Sequence, residues 1–133
     1  MATCSPRAAG IVGGMLSTGS FAVHIADLDL DLDPLDPGSI VEGSPQTWNR
    51  VVWESEDGRI IRGVWQISPG VVVDTEAHEM FVVIAGRATI AIDGGTTFDV
   101  GPGDMGVLEE GARSTWTVHE TLRKAYQILL PAS

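Results

Sequence analysis

The sequence predicts an all-β fold, a single small barrel preceded by a loosely structured arm, and three observations carry that prediction. From Trp48 onward, apolar runs of four to eight residues recur, separated by turn signals at a spacing typical of sandwiches and barrels. No segment there sustains a helical period. The chain has 133 residues, 16 of them glycine and 7 proline, which suits one domain rich in turns and is short for two. The expected division is an arm over residues 1–20 and a barrel domain over 21–133.

The elements follow in order. The first 20 or so residues are rich in Gly, Ser, Ala and Thr and show no period. Phe21 to Ile25 reads as a short strand. Asp27 to Asp36 alternates Asp with Leu and then meets Pro34 and Pro37, which permits a strand only at an edge. These aspartates lack the spacing, central glycine and terminal glutamate of a calcium loop, so a solvated edge face is the better reading.

Val51 to Glu54 and Ile60 to Ile67 flank Asp57-Gly58, a type I′ hairpin signal. Later strands are expected at Val71 to Val73, Met80 to Ala85, Ala88 to Ile92, Thr97 to Val100, Met105 to Leu108, Ser114 to Val118 and Lys124 to Leu130. Met80 to Ala85 is apolar on both faces, so it needs cover on both sides, and a homodimer interface is the expected outer cover. A barrel this small places its ligand at the mouth of its interior.

Charge excludes some partners. A net charge of -10, from 18 acidic and 8 basic residues, argues against nucleic acid, whose binding needs a basic footprint, and against anionic membrane surfaces. The single cysteine, Cys4, permits no intrachain disulfide. Ala8 to Leu16 is too short and too broken by glycine for a signal peptide or a spanning helix, and a cytoplasmic location is expected.

The run from Glu79 to Gly86, Asp93-Gly94, Gly101-Pro102-Gly103-Asp104, Glu110-Gly111 and the stretch from Trp116 to Lys124 together resemble the cupin superfamily. More narrowly they are similar to the small cupins related to (S)-ureidoglycine aminohydrolase and to the ethanolamine-utilisation cupin. The likeness covers roughly residues 40 to 130. It implies a cupin double-stranded β-helix, a jelly-roll barrel. The turn pieces also have a plain scaffold reading: Asp93-Gly94 closes a hairpin, and the Asp104 carboxylate can bond turn amides.

The resemblance further implies a metal held by two histidines, a glutamate and a third histidine, and here the sequence departs. Glu79 takes the glutamate position by its distance from Gly86. Counting forward from Gly70, the paired histidine positions fall on Glu76 and His78, and Ser114 stands where the last histidine belongs. First-row metals need three or four inward donors. His78 and Glu79 are adjacent, so an extended strand points them to opposite faces. Glu76, His78 and Glu79 remain weak metal candidates, no cofactor is assigned, and a divalent metal stays an alternative.

Alternation places Phe81, Val83 and Ala85 on the face of Glu79, and groups Ser114, Trp116 and Val118, then Lys124 and Tyr126. With Trp65 these describe an aromatic pocket suited to a small polar or anionic metabolite. Glu79 and Lys124 are the candidate catalytic pair, with Glu79 as base and Lys124 binding an anion or acting as an amine. Trp65, Phe81, Ser114, Trp116 and Tyr126 are the candidate binding residues. A scaffold reading stands beside this: Glu120 and Lys124 pair at the rim, Glu79 bonds backbone amides, and the tryptophans are core. Three functions stay open: a metal-independent metabolite binder or enzyme, a metal-dependent hydrolase like ureidoglycine aminohydrolase, and a non-catalytic binding or interaction module.

Overall fold

The computed structural model describes residues 19–132. Its strands are β1 (Asp31–Leu32), β2 (Ile40–Glu42), β3 (Thr47–Glu54), β4 (Ile60–Ile67), β5 (Gly70–Thr75), β6 (His78–Ile92), β7 (Thr97–Val100), β8 (Met105–Leu108) and β9 (Arg113–Leu129), with a short 3-10 turn at Pro37–Ser39. All pairings are antiparallel. This is the all-β jelly roll that the sequence predicts. The proposed arm lies outside the described residues apart from its last two, as does Cys4.

The centre of the fold is β9. One of its edges pairs with β6 from Ser114 to Leu129. The other pairs first with β5, through Arg113 to Val118, and then with β4, through Leu122 to Leu129. Two half-sheets therefore share β6 and β9, and the curl between them encloses a core that includes Ile61, Val72, Ile90, Leu108, Leu122 and Ile128. Alternation explains which residues enter it: on β9 the even-numbered positions from Leu122 to Ile128 are buried while Arg123, Ala125 and Gln127 face outward.

Several expected boundaries change. Met80 to Ala85 and Ala88 to Ile92 are one strand, and so are Ser114 to Val118 and Lys124 to Leu129. The polar stretch His119 to Thr121 reads as a break, yet ladder pairing carries the chain through it with those side chains exposed. Glu120 pairs there with Arg87 at 2.7 Å, on the surface. The β6 register shifts around Gly86, whose φ of 83° and close approach to the Thr121 carbonyl exclude a side chain. That bulge turns Ala85 out to solvent, against the inward placement that simple alternation gives.

Phe21 to Ile25 is not a strand. This segment is held instead by Arg123, whose Nη1 donates to the carbonyls of Ile25 at 2.9 Å and Leu28 at 3.0 Å. Of the Asp-Leu repeat Asp31–Leu32 forms the strand, at the edge beside β3, and the Asp33 amide continues the contact by donating to the Thr47 carbonyl. The Asp57-Gly58 turn is not type I′, because only Gly58 has positive φ, and the loop closes one step wider through Ser55 and Ile60. The Asp104 carboxylate accepts from the Gly101 amide at 2.8 Å, as expected of that turn. Among the described residues no helix is long and apolar enough to cross a membrane.

Candidate functional site

Three strands aim the interior side chains at one another. Lys124 on β9 lies between Trp65 on β4 and Val83 on β6 in the ladder, so its side chain leaves the middle of the sheet and enters the barrel. There its Nζ donates to Glu79 Oε2 at 2.6 Å, and neither side chain has any exposed surface. The ammonium sits 4.6 Å from the ring centres of Trp65 and Phe81 and 4.9 Å from that of Trp116. The rings brace one another, Trp65 edge-on to Trp116 at 5.9 Å and Phe81 tilted against it at 5.8 Å. Opposite Phe81 on β8 stands Gly106, where any Cβ would overlap the phenyl ring.

A second buried carboxylate lies beside this cage. Glu76 precedes β6 and is pinned by a pair of backbone bonds, its amide to Ala112 and its carbonyl from Gly111. Its Oε2 accepts from Ser114 Oγ at 2.5 Å and from Trp116 Nε1 at 3.1 Å. Asp74 on β5, opposite Ser114, is also buried. The remaining oxygens of Glu76 and Glu79, both Oε1, are buried without a hydrogen-bond partner. Tyr126 completes the group, its hydroxyl donating to Asn49 Oδ1 at 2.8 Å.

Burial pushes the Glu79 carboxyl up from 4.5 to about 7; Lys124 opposes this, and the neighbouring charges of Glu76 and Asp74 add to it. Burial, with the Glu79 charge beside it, also pushes the Tyr126 phenol up. A carboxyl raised toward neutrality has both protonation states accessible near pH 7.

Seven of the sequence-predicted residues therefore converge in the interior: Trp65, Glu79, Phe81, Ser114, Trp116, Lys124 and Tyr126, each 4% exposed or less. The rim pairing of Lys124 with Glu120 is replaced by the interior pairing with Glu79, because even-numbered residues of β9 face inward there. Glu79 likewise bonds the ammonium and not backbone amides. Sequence reasoning passed over Asp74, although alternation from buried Val72 points it inward.

The metal candidates do not gather. His78 is exposed on the outer face of β6, one residue from Glu79, as strand geometry demands. Glu76 Oε2 is engaged by Ser114 and Trp116 and Glu79 Oε2 by an ammonium, so each carboxylate keeps one oxygen, fewer donors than a first-row metal needs. No group of three or more His, Cys, Asp or Glu able to hold a metal is found among the described residues. The donor set does not fit the metal that the superfamily resemblance implies.

A family model described as the EutQ-like cupin domain matches residues 54–126. No curated protein matches. Among solved structures, the chain is similar to a protein of unknown function of the DUF861 family from Pseudomonas syringae pv. tomato, with 26% identity and a TM-score of 0.70 over 77% of this chain. It spans 45% of the length of that protein. It is similar to the Clostridium difficile EutQ protein, at 21% identity and TM-score 0.61, covering 74% of this chain and 76% of that one. The polyketide cyclase RemF from Streptomyces resistomycificus shares the fold at 19% identity and TM-score 0.59, over 85% and 81% of the two chains.

Proposed function

The chain belongs to the EutQ-like cupin domain family, and from that premise we propose that its barrel binds a small polar metabolite without a metal, using Glu79 to give and take a proton. The observation that carries this reading is the Lys124–Glu79 pair buried among Trp65, Phe81 and Trp116, next to two carboxylate oxygens with no donor. Buried acceptors left unpaired are costly, and a ligand bearing N–H or O–H donors relieves that cost. Among the described residues, Glu76 and Glu79 each leave one buried acceptor beside the Lys124 ammonium, so a donor-bearing ligand suits the site better than an anionic one. Lys124 then stabilises negative charge that develops on the ligand as Glu79 removes a proton.

The hydrolase reading, like ureidoglycine aminohydrolase, requires converging metal donors, and the geometry of Glu76, His78 and Glu79 lends it no support. Titration with a panel of small amines, alcohols, amides and ureas, followed by tryptophan fluorescence, tests the reading. At least one compound should give a saturable change in the wild type that Glu79→Gln abolishes. Silence across the panel, or an equal response from Glu79→Gln, sinks it.

For the outer face we propose a second copy of the chain. Met105 and Val107 on β8 are 65% and 62% exposed, and Met80 lies beside them on β6. This patch carries no charge in a chain of net charge -10, so it is where two like-charged copies meet with least repulsion. Sedimentation should show a dimer that Val107→Glu dissociates; a wild-type monomer at high micromolar concentration overturns the proposal.

A further inference from the structure

We propose that the ammonium of Lys124 is the resident cation of this barrel, and that the cage around it is built for a primary alkylammonium group and not for a divalent metal. The inference goes beyond the metabolite reading and stands whether or not a metabolite binds.

The motif glutamate is the starting point. Glu79 is the one residue at the four metal-ligand positions whose identity the superfamily pattern keeps and whose side chain points inward. Its partner at 2.6 Å is Lys124 Nζ. The other three positions do not complete a ligand set: Glu76 Oε2 accepts from Ser114 and Trp116, which leaves only its Oε1, Ser114 is spent on Glu76, and His78 faces solvent.

The walls decide which cation is suited to the place. Three aromatic rings surround Nζ at 4.6 to 4.9 Å from their centres. Ring faces present a negative quadrupole that attracts an ammonium at such distances. A first-row metal instead demands lone pairs from three or more N, O or S donors at close range, which ring faces lack. An ammonium on an alkyl stem meets both features at once: its N–H groups reach the carboxylate while its methylenes pack on the rings. Delivery from the centre of β9, between Trp65 and Val83, makes that cation permanent.

Truncation of the lysine makes the proposal testable, because n-propylammonium carries the atoms that Lys124→Ala removes beyond Cβ. Thermal unfolding of the variant should show saturable stabilisation by n-propylammonium, at least about tenfold tighter than by the neutral isostere 1-propanol. Mn²⁺ and Zn²⁺ at millimolar concentration should give no saturable stabilisation. Equal rescue by 1-propanol, or stoichiometric Mn²⁺ or Zn²⁺ binding to the variant, overturns the proposal. Should Lys124→Ala not fold, the wild type answers the same question. Titration with Zn²⁺ and Mn²⁺ should leave the fluorescence of buried Trp65 and Trp116 unchanged, and a stoichiometric, chelator-reversible quench refutes it.

Discussion

Lys124 and Glu79, 45 residues apart in the chain, meet at 2.6 Å in the centre of the barrel with no exposed surface on either side chain. Breaking a buried ion pair from one side leaves a charge without compensation, which costs about 3–5 kcal/mol, whereas replacing both partners by neutral groups of similar size is often nearly neutral. Lys124→Met is therefore expected to lower the urea unfolding free energy by several kcal/mol at pH 8. Lys124→Met combined with Glu79→Gln should recover most of the loss. A double variant as unstable as the sum of the singles would show that the two residues do not act as a pair.

The raised Glu79 carboxyl makes stability depend on pH in a definite direction. Its proton is held more tightly in the folded state, up to about 7, than at the ordinary value of 4.5 in the unfolded chain. This contribution is fully present below 4.5 and is lost as pH rises through about 7, after which it is flat. Integrated over that window the loss is on the order of 3 kcal/mol. Glu79→Gln should flatten this segment of the pH–stability curve, measured by urea titrations between pH 4.5 and 8; an unchanged slope would assign the dependence elsewhere.

Tyr126 is the only tyrosine in the chain, so its ionisation can be followed without interference. Burial and the nearby Glu79 charge raise its phenol well above the ordinary value of 10. Absorbance at the tyrosinate band, roughly 295 nm, should stay flat through about pH 11, where an exposed tyrosine is mostly ionised. The rise should coincide with unfolding seen by circular dichroism. A separate transition near the ordinary value would place the phenol in solvent.

Gly106 leaves the Phe81 ring its place in the cage. Gly106→Ala is expected to cost about 1–3 kcal/mol through overpacking, because its Cβ would overlap that ring. Combining it with Phe81→Leu should cost less than the two changes do separately. Strict additivity in thermal or urea unfolding would mean that the two sites do not touch.

Much of this was legible in the chain. Alternation placed Glu79, Phe81 and Val83 on one face and Lys124 with Tyr126 on another, and both sets are buried where period-two geometry puts them. Adjacent His78 and Glu79 had to diverge, and they do. Ala85 escaped the rule because the bulge at Gly86 shifts the register, a displacement that no local pattern announces. The long β6 and β9 look in sequence like pairs of shorter strands for a related reason: whether a polar stretch such as His119 to Thr121 is a turn or a ladder depends on a partner strand distant in sequence.

By itself, then, the sequence determined the strand period, most turn positions, which candidate residues share a face and the loss of most ligand histidines, because these depend on neighbours one or two positions away. Only the tertiary structure decided that the inward Lys124 meets Glu79, with aromatic faces around the ammonium, and leaves Glu120 to Arg87 on the surface. That choice is set by the register of β9 against β4 and β6 and by the curl that brings Trp116, on the N-terminal half of β9, against Trp65 and Phe81, both long-range properties of the folded sheet.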